Sequence, residues 1–210
     1  MENSVSVLEK DAQGADSSAL RNQTASAHRA VEHTLNLPEA IKDFEDYRRW
    51  LTRFFGIYYS IEESLGRFTQ WDESGIPFEP FARANSLSKD LNAMSVPIET
   101  VELAPRDQVP QFVNFSEAVG ALYVLEGSTL GGRFILLDLS KRLGQRIDGA
   151  NSFFAGYGSH TGLSWTAFKT SLDNFLSQDP VRFSSVLTGA NATFASVESW
   201  MSFLTGRGKP

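Results

Sequence analysis

The chain has 210 residues, 41% of them hydrophobic, which is enough for one domain with a sizeable core. It has no cysteine, so disulfides, thiolate nucleophiles, zinc ribbons and cysteine-held iron–sulfur clusters are excluded. A net charge of −6 without a long basic run argues against nucleic acid as the main partner.

Residues 1–16 are polar and lack the basic start and apolar middle of a signal peptide. A disordered N-terminal tail and a cytoplasmic location are expected. No apolar run reaches the roughly 20 residues that cross a bilayer. Ser17 or Ser18 is placed to cap a helix through LRNQTASAHRAVEHTL, whose Leu20, Ala27, Val31 and Leu35 lie close to helical spacing. Asp43 then opens a second helix. Its Phe44, Tyr47, Leu51, Phe54, Tyr58, Ile61, Leu65 and Phe68 recur every three or four residues, and its DFEDYRR and IEESL charges read as solvated faces. Residues 71–80 hold turn formers and read as a loop. Ser86 is placed to cap a short helix, LSKDLNAM. Residues 95–111 carry Pro97, Pro105 and Pro110 and cannot form one helix.

Asn114 and Glu117 stand at cap and N3 spacing before a long apolar segment, FSEAVGALYVLEGSTLGGRFILLDLSKRLG, which Gly144 ends. Residues 148–162 read as a glycine-rich aromatic loop. Ser164 is placed to cap WTAFKTSLDNFL, and Asp179-Pro180 to open a last helix reaching about Leu204. No convincing alternating strand and no internal repeat occur. The expectation is an all-α fold, one multi-helix domain over residues 17–206.

Two features point to chemistry. Gly127, Gly131 and Gly132 lie inside the long helix, and each costs roughly 1 kcal/mol relative to alanine. Such bare backbone serves either close packing of another helix or close approach of a flat ligand. His28 and Glu32, four residues apart, share a helical face. They are either a surface pair or an imidazole held at one nitrogen by a carboxylate, with the other nitrogen left to bind a metal. His33 points well away from His28, and His160 falls in a loop. The aromatics at 54, 55, 58 and 59 read as core. No hydrolase triad or phosphate-binding loop stands out.

The order LRNQTASAHRAVE, then some hundred residues later ALYVLEGSTLGG, resembles the heme oxygenase family. The likeness is to bacterial biliverdin-producing members, including those partnered with bacteriophytochromes. RANSLSKDLNAM, FFAGYG and TGLSWTAF fit as well, so the resemblance runs from about Ala19 to Leu204. It implies that His28 is the axial ligand of heme b and that Glu32 orients it. It further implies that Gly127, Gly131 and Gly132 bring distal backbone close over heme, and that Arg21 and Tyr123 lie near a propionate. The implied reaction is oxidative cleavage of heme at a meso carbon to biliverdin, carbon monoxide and ferrous iron. Dioxygen and an external reductant are required, the donor being a ferredoxin or a flavoprotein reductase. A bacteriophytochrome is an implied acceptor of the product. One departure stands inside the motif. Mammalian members carry an aspartate after the first distal glycine, where this chain has Ser128. A hydroxyl donates and accepts but carries no charge. A heme carrier or sensor without turnover is the alternative that this departure leaves open.

Overall fold

The computed structural model describes residues 15–206, and among these every regular element is helical. The expected tail lies outside the described residues except for Ala15 and Asp16. Helix α1 spans Ser17–Leu35, α2 Phe44–Leu65, α3 Trp71–Ser74 and α4 Ala82–Ala93. Helix α5 spans Phe115–Leu143, α6 Ser152–Ala155, α7 Thr161–Ser177 and α8 Arg182–Ser202. Short 3-10 turns fill the proline-rich stretch at Ile98–Thr100 and Arg106–Gln108. No described helix is long and apolar enough to cross a membrane.

The helix starts show how sequence and tertiary structure divide the work. Asp43 caps α2 by accepting the Asp46 N–H at 2.8 Å. Asn114 caps α5 by accepting the Glu117 N–H at 3.0 Å, and Glu117 reaches back to the Val113 N–H at 3.0 Å. Both follow from local sequence. Four expected starts do not. Asp16, not Ser17 or Ser18, caps α1 through the Ala19 N–H at 2.8 Å. Ser17 is instead tied to α7, where its N–H and hydroxyl donate to Asp173 at 2.7 and 3.1 Å. Ser86 lies inside α4, its hydroxyl turned back to the Ala82 carbonyl at 3.0 Å. Helix α7 begins at Thr161, ahead of Ser164, and α8 begins at Arg182, beyond the Asp179-Pro180 turn.

The α4 start is capped from a distance. Glu62 of α2 accepts the Arg83 and Ala84 N–H groups at 3.0 and 2.8 Å. The same device recurs at α6, where Asp90 of α4 accepts the Ser152 and Phe153 N–H groups at 2.7 and 2.8 Å. Glu62 is therefore buried at 2% exposure, a correction to its reading as part of a solvated face. Single helical turns also interrupt both expected loops. Trp71 in α3 is buried, stacks on Phe78 at 4.4 Å and donates its indole N–H to the Leu65 carbonyl. Phe153 and Phe154 of α6 are buried against Phe54, Tyr58 and Tyr47 of α2. Burying these rings removes large apolar areas from water and fixes the short turns that carry them.

Helices α5 and α8 cross with their backbones in contact. A Cβ on Gly120 would collide with the Val186 carbonyl oxygen, and one on Gly189 with that of Glu117. Helix α1 packs along α8, α4 along α2, and α6 lies between α4 and α5. The amphipathic pattern of α2 is borne out, with Tyr47, Leu51, Phe54, Tyr58, Ile61 and Leu65 all buried.

Candidate functional site

The three glycines of the α5 motif have different surroundings. A Cβ on Gly132 would stand 2.9 Å from the Phe154 carbonyl oxygen and 3.3 Å from its Cα. That bare backbone is used to seat α6. A Cβ on Gly127 would stand 3.4 Å from the indole of Trp165 on α7. At Gly131 nothing lies within 4 Å. Close packing therefore accounts for Gly132, while no protein neighbour requires a glycine at 131.

His28 lies on α1, with 56% of its side chain exposed. Its ring meets Phe194 of α8 edge-on, with centroids 5.7 Å apart. Its Nδ1 is 3.4 Å from a carboxylate oxygen of Glu32, whose side chain is 64% exposed. So open a pair adds little stability. The pair turns Nδ1 toward Glu32, so Nε2 is the nitrogen that Glu32 does not face. Among the described residues, no group of three or more His, Asp or Glu side chains is placed to hold an ion. A metal held at His28 would have a single imidazole as its side-chain ligand among the described residues.

Helices α1 and α5 meet one turn before each of these features. The Tyr123 hydroxyl interacts with that of Thr24, within the field of the Arg21 guanidinium. Burial pushes the Tyr123 phenol above its ordinary pKa, and the Thr24 hydroxyl and Arg21 charge pull it back. Arg21, Tyr123, His28 and Gly127 thus belong to neighbouring turns of two helices in contact. Residue 28 follows Thr24, and Gly127 follows Tyr123, by one turn each.

Ser128 is turned toward α2. It donates to the Leu125 carbonyl at 2.6 Å and accepts from the Tyr58 hydroxyl at 3.1 Å. Its one proton is committed, and its oxygen retains one acceptor lone pair. Tyr58 is buried, and that burial holds its phenol protonated. Near this pair lie further polar groups, some buried and some reaching the surface. Arg83, 3% exposed, donates to the Phe153 carbonyl at 2.6 Å, and its Nε has no partner among the described residues. Glu126, next to Gly127, accepts the Tyr157 hydroxyl at 2.9 Å. Burial raises the Glu126 carboxyl above the usual range, and burial raises Glu62 to about 7.

Tyr58, Trp165 and Phe194 escape a reading of the sequence. Tyr58 carries a signal, a hydroxyl on an otherwise apolar stripe. Trp165 sits in a segment whose resemblance is visible but whose direction is not. Phe194 gives no local sign, because its role depends on α8 lying over α1. A separate cavity of about 330 Å³ at the far end of α1, bordered by Thr34, Asn36, Lys42, Asp46, Arg49 and Trp50, contains none of these residues.

The family model described as Heme oxygenase matches residues 15–202. No curated protein matches the chain. A match over nearly all of an all-α chain, in which a histidine-bearing helix meets a glycine-bearing one, means that this protein belongs to the heme oxygenase family.

Proposed function

We propose that the chain cleaves heme oxidatively at a meso carbon, giving biliverdin, carbon monoxide and ferrous iron. Dioxygen is the oxidant, and electrons come from an external ferredoxin or flavoprotein reductase. The observation that carries this reading is Gly131, a helix-interior glycine with no atom within 4 Å of its would-be Cβ. Conformation does not demand a glycine there, because the residue is helical and its φ is not positive. The position is exposed, and its bare backbone leaves room for a flat ligand to lie against it. The donor set also fits heme: one histidine aimed by a carboxylate, no cysteine and no competing cluster of ligands among the described residues.

When bound, heme supplies both the iron at which dioxygen is reduced and the carbon skeleton that is cut. The protein's part is geometric and electrostatic. His28 would hold the iron through Nε2, with Glu32 beside the other nitrogen and Phe194 against the ring. Arg21 supplies a positive charge near Tyr123, suited to a propionate. The glycines at 127 and 131 would let heme lie close to the α5 backbone. Ser128 acts as an acceptor, because its proton is held by Leu125. It can orient a water whose own proton then faces the pocket. Ser128 carries no charge and no acidic proton, so any proton passed at that position would come from such a water. Delivery of the product to a bacteriophytochrome, and a cytoplasmic location, belong to the same proposal.

The test is to add hemin to the purified protein and follow its Soret band, then supply reductant and oxygen with catalase present. Decay of the Soret band with growth of a biliverdin band is expected. A stable Soret band would instead favour a carrier or sensor. His28→Ala should lose most turnover, at least tenfold, with recovery on adding imidazole. Full turnover without imidazole would remove His28 as the ligand.

A further inference from the structure

We propose that Trp165 is the end wall of the heme slot, resting against the porphyrin and fixing which meso edge is presented for cleavage. This rests on the heme reading above. Helix spacing puts Tyr123, Gly127, Gly131 and Phe134 on one face of α5. That face is not uniformly open. At Gly127 the Trp165 indole already sits at van der Waals distance, 3.4 Å from the position of a Cβ. One turn on, at Gly131, nothing intervenes. Three residues further, Phe134 stands 77% exposed. A planar macrocycle laid on this face is therefore stopped at the Gly127 end and unobstructed toward Phe134.

The wall is firmly built. Trp165 stacks on Phe168 with the rings 12° from parallel, and Phe168 is buried at 2% exposure. On its other flank Tyr123 lies 5.5 Å away, centroid to centroid. Two turns along α7, Asp173 holds the N–H and hydroxyl of Ser17 at the start of α1. Helix α7 is thus tied to the histidine helix while it reaches over the glycine helix. Trp165 itself remains half-buried. An indole braced by two aromatic neighbours, with part of its surface still exposed, offers that part for stacking or edge contact with a flat ligand.

The experiment labels the four tryptophans with 5-fluorotryptophan and assigns the Trp165 fluorine signal with Trp165→Phe. Gallium protoporphyrin, closed-shell and unable to turn over, is the probe, and its Soret band reports binding independently. The largest ring-current shift of the four signals should fall on Trp165. A bound porphyrin that leaves Trp165 unmoved overturns the wall and leaves the heme reading intact. Failure of the porphyrin to bind overturns both. Trp165→Ala should weaken hemin binding about tenfold and spread the product over more than one biliverdin isomer, whereas Trp165→Phe keeps affinity within about twofold. A single unchanged isomer from Trp165→Ala would also sink the proposal.

Discussion

Glu62 shows how much one side chain's surroundings decide. Its carboxylate caps α4, yet burial lifts its pKa from 4.5 to about 7, against the pull of two N–H groups and the Arg83 charge. A carboxyl whose folded pKa stands above its unfolded value holds its proton more tightly in the folded chain. Its stabilising contribution is complete below pH 4.5 and is lost as pH rises through about 7. The shift corresponds to roughly 3 kcal/mol at most. The thermal midpoint should therefore fall between pH 5 and pH 8. Glu62→Gln, which keeps an acceptor oxygen for only one of the Arg83 and Ala84 N–H groups, should lower stability at every pH and flatten that slope. A native slope that persists in the glutamine variant would assign it to other groups. At the same scale, Ser128 is less a missing charge than a redirected hydroxyl. Tyr58 and Leu125 hold its orientation, and a chain read in one dimension shows neither partner.

At the scale of elements, the glycines of α5 separate into structural and functional sets that one set of substitutions can distinguish. Gly120→Ala and Gly189→Ala would drive a methyl into backbone carbonyls across the α5–α8 crossing, and neither backbone can yield cheaply. Each should cost about 2 kcal/mol or more and lower the thermal midpoint by several degrees. Gly132→Ala meets the Phe154 backbone at 2.9 Å and should also destabilise. Gly131→Ala meets nothing, and alanine's better helix propensity should leave stability unchanged or raise it by up to about 1 kcal/mol. The same variant should bind hemin more weakly and alter the product distribution. A Gly131→Ala protein that is as stable as the parent and indistinguishable with hemin would mean that no ligand approaches that backbone. Melting curves and Soret titrations on the four variants read both sets.

Across the whole molecule, what was legible in the sequence is what local physics dictates. The period of α2, the Asn114–Glu117 box and the shared face of His28 and Glu32 depend on residues a few positions apart, and the structure keeps all three. The illegible parts depend on long-range partners. Nothing near Ala82 announces that its helix is capped by Glu62, nor does IEESL reveal which of its two glutamates is buried. The interior glycines were conspicuous, but only three-dimensional neighbours tell Gly132 from Gly131. The distant caps also link up. Glu62 of α2 secures α4, Asp90 of α4 secures α6, and the Phe154 backbone of α6 rests on Gly132 of α5. Asp90→Asn should therefore raise amide hydrogen exchange at Ser152 and Phe153 and, through them, in α5 around Gly132. The α1–α8 pair should keep its protection. Exchange confined to α6 would show that the links act separately. Joined in this way, the four helices form a run of linked contacts from α2 to α5. On the proposed reading, the links that end at Gly132 also steady the neighbouring Gly131 backbone offered to heme, so a change at Glu62 or Asp90 would be felt in the pocket without touching it.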